Sequence, residues 1–295
     1  MDKEQTAIER LKMASEMSMR MYKQPLVVMT SGGKDSSVCV ELARRAGIPF
    51  EVIHGHTTAD APETVYFVRR ELARLSEMGI SCQISYPRYK GKRTSMWALI
   101  PQKLTPPTRT VRYCCSVLKE QNGKGRFVVT GVRWAESARR KSGRGIYETM
   151  TSKVSNKVIL VNDNDDKRML FENCTIKSQR ICNPIVDWTD KDVWDFLLSN
   201  KIPVNPLYQE GFSRVGCVGC PMARKKHRYQ NFARWPAYEK MYIRAFDKML
   251  EERRRREILN STWDETTTGV DVMHWWMEDG VLPGQFSMDE YFDDE

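Results

Sequence analysis

The most informative part of this sequence is a short loop that reads Thr30-Ser31-Gly32-Gly33-Lys34-Asp35-Ser36-Ser37. It follows an apolar run, Leu26 to Met29, and precedes an amphipathic helical pattern. A buried strand, a glycine turn and a helix in this order direct several backbone N–H groups and the positive helix end towards one place. The two glycines allow a close backbone approach, and the serines and Lys34 add hydrogen-bond donors and positive charge. The pattern predicts a phosphate-binding loop.

The spacing of this loop excludes two common nucleotide-binding motifs. It lacks the Gly-x-x-x-x-Gly-Lys-Ser/Thr pattern of Walker loops and the Gly-x-Gly-x-x-Gly pattern of dinucleotide folds. The alternative is an ordinary turn that caps a helix, with Asp35 or Ser36 as the N-cap residue. The complete hexapeptide Ser-Gly-Gly-Lys-Asp-Ser at a strand-to-helix junction favours the ligand-binding interpretation.

Strand-like and helix-like segments alternate through the first half of the chain. Apolar runs predict strands at Leu26–Met29, Phe50–Ile53, Ser81–Tyr86, Phe127–Val132 and Ile181–Val186. One helix is predicted to begin at Pro62, and another is capped by Thr189. The alternation predicts an α/β fold with a doubly wound parallel sheet, followed by a mainly helical C-terminal region. Ligands of such sheets bind beyond the carboxyl ends of the strands, where the loop lies.

Composition limits the class of protein. The chain has 295 residues, of which 41% are hydrophobic, so it can bury a sizeable core. It contains no apolar run long enough to span a bilayer, and its charged first residues lack the apolar core of a signal peptide. Eight cysteines without a secretion signal predict metal or redox chemistry in a reducing compartment. We expect a cytoplasmic protein with no membrane partner.

Basic residues are concentrated in four segments of a chain whose net charge is +9. Tyr86 to Arg112 carries seven cations and no acid, and Arg133 to Arg144 carries five cations and one acid. Nucleotide phosphates alone could explain these two segments. The cations at Arg224–Arg228 and Arg253–Arg256 exceed what a small ligand needs, so they are consistent with binding of a nucleic acid. At Arg253–Arg256, however, the neighbouring glutamates favour a solvated helix face over a nucleic-acid surface.

Four cysteines form the second strong pattern. Cys114 and Cys115 are adjacent, and Cys217 and Cys220 form a Cys-x-x-Cys pair. Four thiolates from two distant segments can bind a [4Fe–4S] cluster or a tetrahedral zinc ion. Because adjacent side chains on an extended backbone point apart, the first pair suits a bulky cluster at a helix start better than one small ion. We expect a cluster, with zinc and unligated core cysteines as alternatives.

Several motifs resemble those of a known family. The loop is similar to the pyrophosphate loop of the adenine nucleotide alpha hydrolases, and the cysteine pattern resembles the iron–sulfur branch of the PAPS/APS reductase family. Further motifs match in family order at Thr57–Thr64, Gly131–Ser137, Trp188–Trp194 and Asn205–Tyr208. The resemblance implies a PAPS reductase-like domain over residues 25–222. An N-terminal helix at 1–24 would precede it, and a basic helical extension with an acidic tail would follow at 223–295.

The resemblance also implies roles for individual residues. The residues expected to bind the nucleotide are Ser31, Gly32, Gly33, Lys34, Asp35, Ser36, Ser37, Thr57, Asp60, Gly131, Arg133, Glu136, Ser137 and Arg140. Of these, Lys34, Asp35 and Arg133 are expected to be catalytic. Guanidinium groups at Arg133 and Arg140 suit phosphate or sulfonate oxygens. The expected cluster ligands are Cys114, Cys115, Cys217 and Cys220.

The loop resembles those of ATP-cleaving members more closely than those of sulfonucleotide reductases. After Cys220 this sequence has no cysteine, whereas the reductases it resembles use a nucleophilic cysteine near the C-terminus. The resemblance therefore implies binding of ATP with Mg²⁺, cleavage to AMP and pyrophosphate, and sulfur transfer. The implied partners are a nucleic-acid acceptor and a cysteine desulfurase or other sulfur donor. The alternatives are a PAPS or APS reductase, and a non-catalytic protein that senses nucleotides or binds nucleic acid.

Overall fold

The computed structural model describes residues 2–119, 122–150, 159–163, 179–258 and 262–280. The chain divides into two compact units. Unit 1 comprises Met1–Gly55, Pro62–Ser85 and Glu120–Val215, and unit 2 comprises His56–Ala61, Tyr86–Lys119 and Gly216–Glu295. The domain boundaries expected from the motifs, 1–24, 25–222 and 223–295, stay predictions.

The helices and strands alternate as the sequence indicates in the first half of the chain. In chain order the helices are α1 (Lys3–Tyr22), α2 (Lys34–Arg45), α3 (Pro62–Glu77), α4 (Met96–Lys103), α5 (Tyr113–Leu118), α6 (Ala138–Gly143), α7 (Asp190–Ser199), α8 (Lys225–Arg234), α9 (Pro236–Arg255) and α10 (Gly269–Met277). The strands are β1 (Leu26–Thr30), β2 (Phe50–Gly55), β3 (Ser81–Ser85), β4 (Arg88–Tyr89), β5 (Lys92–Arg93), β6 (Phe127–Val129), β7 (Tyr147–Met150), β8 (Ile159–Leu160) and β9 (Gln179–Cys182).

The sheet of unit 1 has seven strands in the order β3-β2-β1-β6-β9-β7-β8. The first five run parallel, whereas β7 and β8 pair antiparallel at one edge. The chain continues from β1 to β2 on one side, and β6 lies on the other side of β1. This reversal opens a crevice at the carboxyl end of β1, where α/β sheets bind ligands. The predicted α/β fold with flanking helices is confirmed.

Two predicted strands differ from those in the structure by three or more residues at one end. The strand predicted at Phe127–Val132 ends at Val129, because the following residues leave the sheet towards the start of α2. The strand predicted at Ile181–Val186 instead covers Gln179–Cys182. Pro184 has no N–H to continue the ladder, and Val186 N closes a turn onto Asn183 O at 3.2 Å.

The polar composition of Lys141–Cys174, with Asn162-Asp163-Asn164-Asp165-Asp166 at its centre, predicts an insertion or mobile loop, and this is wrong in part. β7 and β8 lie within it and extend the sheet at its edge. Residues 151–158 and 164–178 of this segment, including Cys174, lie outside the described residues. The acidic tail Asp289–Glu295 also lies outside them.

The core of unit 1 fixes the position of the loop. Leu26, Val27 and Val28 of β1 are completely buried, and so are Val38 and Leu42 of α2. Each such side chain stabilises the fold by about 1.5–3 kcal/mol relative to an exposed one. Both ends of the loop are therefore attached to the most deeply buried elements.

Unit 2 is mainly helical. Helix α9 packs against α4 and α10, and an aromatic cluster of Tyr242, Phe246 and Trp276 lies between α9 and α10. A separate antiparallel pair, β4 with β5, forms a hairpin. None of the helices in the described ranges combines the length and hydropathy needed to cross a bilayer.

Candidate functional site

The glycines give the loop its shape. Gly32 has a φ of +73°, which is unfavourable for other residues, and a Cβ there would lie 2.7 Å from Val68 Cγ2 of α3. Gly33 is the N-cap residue of α2 and has no side chain to cap it. The alternative interpretation, with Asp35 or Ser36 as the N-cap residue, is therefore wrong. A glycine at this position leaves the first N–H groups of the helix without a capping side chain of their own.

Hydroxyl groups hold the loop from inside. Ser36 Oγ donates to Gly33 O at 2.8 Å and accepts from Ser31 N at 3.3 Å. Ser37 Oγ also donates to Gly33 O, at 3.3 Å. Two of the predicted binding serines thus stabilise the turn itself in this structure.

Tyr208 caps the start of α2 from outside the loop. Its hydroxyl accepts from Lys34 N at 2.9 Å. Desolvation raises the pKa of Tyr208 to about 12, so the hydroxyl keeps its proton near neutral pH. Among the described residues, no acceptor is recorded for the N–H groups of Gly33, Asp35 and Ser36. These donors and the helix dipole have the arrangement that binds anions at the starts of helices.

Two cations and two carboxylates form a network at the loop. Lys34 Nζ lies 3.2 Å from Asp190 Oδ1 and 3.8 Å from an Asp35 oxygen. Arg133 contacts the same two acids, with Nε 2.6 Å from Asp35 Oδ1 and Nη2 2.9 Å from Asp190 Oδ1. Lys34 and Arg133 are 7% and 3% exposed, whereas the Asp190 side chain is 62% exposed. The cations are fixed in the protein, and Asp190 is the member with room to move.

The network favours the charged forms of Asp190 and Arg133. Burial would raise the pKa of Asp190, but hydrogen bonds and charges from Lys34 and Arg133 lower it overall. Burial would lower the pKa of Arg133, but Asp35 and Asp190 raise it overall. Because opposite charges cancel within the network, an anionic ligand has to compete with these carboxylates for the cations.

The predicted phosphate-binding role of Arg133 does not match its contacts in this structure. Besides its two acids, Arg133 donates through Nη1 to Trp188 O at 3.4 Å. A guanidinium that is buried and engaged on Nε and both Nη atoms holds its neighbours in place rather than presenting a free fork to a ligand. The contacts favour a positioning role, with Arg133 fixing Asp35 beside the loop.

Gly131 explains why the end of β6 lies so close to the loop. A Cβ there would lie 2.8 Å from the backbone carbon of Asp35 and 2.9 Å from its oxygen. Only glycine permits this approach. Gly131 therefore shapes the site without offering a side chain.

The remaining predicted residues of this segment form local structure. Glu136 accepts from Arg133 N at 3.0 Å and pairs with Arg140. Ser137 caps α6 by accepting from Arg140 N at 3.2 Å. The side chain of Arg140 is 39% exposed, so a ligand can reach it.

Thr57 and Asp60 belong to unit 2, where they hold a cysteine. Asp60 forms an isolated antiparallel bridge with Cys217, and Cys217 Sγ donates to Thr57 Oγ1 at 3.4 Å. Asp60 Oδ2 in turn accepts from Thr57 N at 2.9 Å. Their contacts in the structure are therefore with the Cys-x-x-Cys segment.

The four predicted ligand cysteines share one region of unit 2. Cys114 and Cys115 lie in the first turn of α5, as the adjacent pair was expected to lie at a helix start. A hydrogen bond with Cys115 raises the pKa of Cys114, and burial and the charges of Cys217 and Cys220 raise it further. The same bond lowers the pKa of Cys115, as does Arg112. Mutual charge effects of this kind require the thiols to lie close together.

The sulfur spacing distinguishes between the expected metals. Tetrahedral zinc binds thiolates at about 2.3 Å, which places the sulfurs about 3.8 Å apart. Among the described residues, no three cysteine sulfurs lie within 4.8 Å of one another. A larger iron–sulfur cluster spaces its ligands more widely, so the residues present fit a cluster better than a single zinc ion.

Three residues at these sites were missed by the sequence analysis. Asp190 and Tyr208 were read only as parts of motifs, although an acid at the first position of a helix is a recognisable signal. Lys119 of unit 2 was not considered. The charge of Cys217, followed by those of Asp60 and the other thiols, raises the pKa of its ammonium group. Lys119 therefore supplies positive charge beside the cysteines.

Comparison with known proteins identifies the family. The family model of the phosphoadenosine phosphosulfate reductase domain matches residues 25–223. The chain belongs to this family. An uncharacterized protein of Methanocaldococcus jannaschii is 29% identical over 245 residues, which cover 79% of this chain and 50% of the relative. The chain thus spans about half the length of that relative.

Two named proteins are also similar. An adenosine 5'-phosphosulfate reductase of Bacillus cytotoxicus is 22% identical over 232 residues, which cover 75% of this chain and 83% of the relative. The crystal structure of a phosphoadenylyl-sulfate reductase from Candida auris, solved with phosphate, is 16% identical with a TM-score of 0.47. That comparison covers 72% of this chain and 88% of the solved one.

Proposed function

We propose that unit 1 binds the phosphates of ATP and promotes cleavage between the α and β phosphorus atoms. The observation that carries this proposal is the start of α2, where three N–H groups have no recorded acceptor beside the buried Lys34. Such a site binds a chain of phosphates rather than a neutral ligand. The Ser-Gly-Gly-Lys-Asp-Ser loop supports ATP over a sulfonucleotide.

The residues around the loop suit displacement at phosphorus. An acceptor oxygen forms a bond to the α phosphorus while the bond from that phosphorus to the bridging oxygen breaks, and pyrophosphate leaves with the electron pair. Lys34 and the N–H groups bind the charge that accumulates on the leaving pyrophosphate. Arg133 keeps Asp35 in place. Asp35 and Asp190 offer carboxylate oxygens of the kind that bind Mg²⁺, which would neutralise phosphate charge.

We further propose that Cys114, Cys115, Cys217 and Cys220 of unit 2 hold a [4Fe–4S] cluster. Two observations support it: the cysteines share one region, and no three of the described cysteine sulfurs lie within 4.8 Å of one another. The cluster would supply iron for sulfur or electron transfer. Lys119 beside the thiols offsets part of the negative charge that such a centre carries. Sulfide-level sulfur from a donor would then bond to the activated atom of the acceptor, and AMP would leave with the oxygen that attacked the α phosphorus.

The ATP proposal is tested by calorimetry and by release of pyrophosphate from anaerobically purified protein. ATP with Mg²⁺ should bind more tightly than PAPS or APS, and Lys34→Ala should abolish most of the binding. Lys191→Ala is the matched control, because this lysine is exposed and pairs with Asp195 on α7. Equal binding of ATP by the parent and Lys34→Ala would overturn the proposal.

The cluster proposal is tested by iron and sulfide analysis and by visible absorption after anaerobic reconstitution. The parent should hold about four irons per chain, and Cys217→Ser should lose most of them. Cys82→Ser is the control, since Cys82 lies on β3 in unit 1, outside the four-cysteine site. If the protein instead held one zinc ion per chain, the cluster proposal would be wrong and the four cysteines would be assigned as a zinc site.

A second candidate is reduction of a sulfonucleotide. The family match and the similarity to an adenosine 5'-phosphosulfate reductase across 83% of its length favour it. The same loop can bind the phosphate of PAPS or APS. Tighter binding of PAPS or APS than of ATP in the calorimetric test would support this candidate.

A further inference from the structure

A strongly basic hairpin projects from unit 2. Strands β4 and β5 are joined by a tight turn in which Lys90 and Gly91 have positive φ angles of +50° and +78°. The cations Arg88, Lys90, Lys92 and Arg93 are all exposed. No sequence motif of the family was matched to this segment.

The pairing in the hairpin places like charges together. Arg88 lies directly opposite Arg93 in the antiparallel register. Like charges in directly opposed positions destabilise a strand pair. No Asp or Glu occurs from Met78 to Lys119, and none of the four hairpin cations has an ion pair recorded within the part of the chain that the structure describes. An external polyanion would relieve this repulsion.

Tyrosine rings order the cations. Arg93 lies 3.9 Å from the centre of the Tyr86 ring, and Lys103 of α4 lies 4.5 Å from the centre of the Tyr89 ring. Lys90 also lies over Tyr89, at 5.7 Å. Cation–π contacts reduce the freedom of long side chains that would otherwise move in solvent. Because the rings are covered by cations, the surface is suited to phosphates rather than to stacked bases.

Most cations in the arginine runs near the C-terminus are bound by groups of the protein itself. Arg228 is fully buried and donates to Trp276 O and Met277 O. Arg253 is 7% exposed and donates to Leu104 O, and Arg255 and Arg256 pair with Glu252. The sequence analysis considered these runs as sources of surplus charge, but most of their cations are engaged within the protein, and only Arg224 and Lys226 are exposed without a recorded partner among the described residues.

The hairpin adjoins the helix that carries two of the cysteines. Strand β4 packs against α5, and Lys103 lies over both Tyr89 and Tyr113. Tyr113 immediately precedes Cys114 at the start of α5. A chain bound along the hairpin would therefore lie beside this helix within unit 2.

We propose that the hairpin, together with Lys103, binds the sugar-phosphate backbone of a nucleic acid and presents it to the cysteine site. The contacts are to phosphates, so binding is independent of base sequence and strongly dependent on salt. The identity of the bound chain as the sulfur acceptor rests on the proposed function, whereas the binding itself does not.

The test is fluorescence anisotropy of labelled 20-mers as single-stranded DNA, duplex DNA and RNA at several salt concentrations, with reconstituted protein and no nucleotide. Arg88→Gln with Lys92→Gln should weaken binding, and should lower the salt slope for duplex DNA by about 1.8, at about 0.9 per lost phosphate contact. Arg255→Gln with Arg256→Gln removes the same charge and should leave the slope unchanged. Circular dichroism checks that both variants fold.

The outcomes are distinct. No binding by the parent, an unchanged slope in the hairpin variant, or an equal loss in the control variant would each overturn the proposal. The three probes show which nucleic acid is preferred. Because no nucleotide is present, failure of ATP cleavage would leave this result standing, and loss of hairpin binding would leave the ATP proposal standing.

Discussion

Asp190 accepts from Lys34 and Arg133 through the same oxygen, Oδ1, at 3.2 Å and 2.9 Å. It lies at the first position of α7, and its side chain is largely exposed. The lysine of the phosphate loop is thus engaged by a carboxylate of the protein itself. A phosphate oxygen that approaches Lys34 meets a competitor already in place.

Replacement of this competitor should strengthen anion binding. We expect Asp190→Asn to bind inorganic pyrophosphate about two- to fivefold more tightly without Mg²⁺, because an exposed ion pair of this kind is worth up to about 1 kcal/mol. Calorimetry measures the affinity. Asp195→Asn on the same helix is the control and should bind as the parent does. Weaker binding by Asp190→Asn would mean that Asp190 assists the anion instead.

The same carboxylate should make stability depend on pH. The pKa of Asp190 is lowered in the folded protein, so its stabilising effect is present above its unfolded pKa of about 3.9 and is lost as pH falls through the folded value. The difference in unfolding free energy between the parent and Asp190→Asn should therefore shrink below about pH 4. Urea denaturation at a series of pH values measures it. A difference that grows on acidification would contradict the assignment.

Tyr208→Phe should reveal whether the start of α2 is a phosphate site. The variant removes the hydroxyl that accepts from Lys34 N at 2.9 Å but keeps the ring, which packs edge-on against Trp194. We expect a loss of about 1 kcal/mol in unfolding free energy. Saturating pyrophosphate should recover part of this loss, because a phosphate oxygen can accept from the same N–H.

The control for this measurement is Tyr229→Phe. Its hydroxyl donates to Glu278 on the surface of unit 2. Pyrophosphate should change the stability of this variant and of the parent by the same amount. An equal response from Tyr208→Phe would show that no ligand oxygen takes the place of the hydroxyl.

Gly131→Ala should disturb the loop through the backbone. The added methyl group would lie 2.8 Å from the backbone carbon of Asp35, and overpacking of this kind costs about 1–3 kcal/mol. We expect lower stability in urea denaturation and weaker ATP binding. Gly143→Ala at the end of α6 is a matched control, since nothing lies within 4 Å of its added methyl group. Unchanged binding by Gly131→Ala would show that the loop tolerates displacement.

The local patterns of the sequence predicted the elements that carry the loop. Apolar runs at β1 and β2, the glycine turn and the capping residues Thr189 and Asp192 all depend on neighbours along the chain, so a single sequence shows them. The edge strands β7 and β8 were not predicted, because β7 carries no continuous apolar run along the chain and β8 is only two residues long. Their pairing is set by a partner far away in sequence.

The contacts of the site could not be predicted in the same way. That Arg133 would be buried against Asp35 and Asp190, rather than free for a ligand, depends on three segments meeting in space. The arginines near the C-terminus show the same limit. Their spacing resembles a nucleic-acid surface, yet Arg228 is used to bind the carbonyl groups at the end of α10.

Gly219, within the Cys-x-x-Cys pair, has a φ of +69°, and a Cβ there would collide with the Phe232 ring and press on Tyr242 and Trp276. All three rings belong to helices beyond residue 223, where the family match ends. A chain shortened to the matched segment would keep all four cysteines but lose the aromatic wall behind two of them. In this protein the boundary of the family is therefore not a boundary at which the polypeptide can be divided.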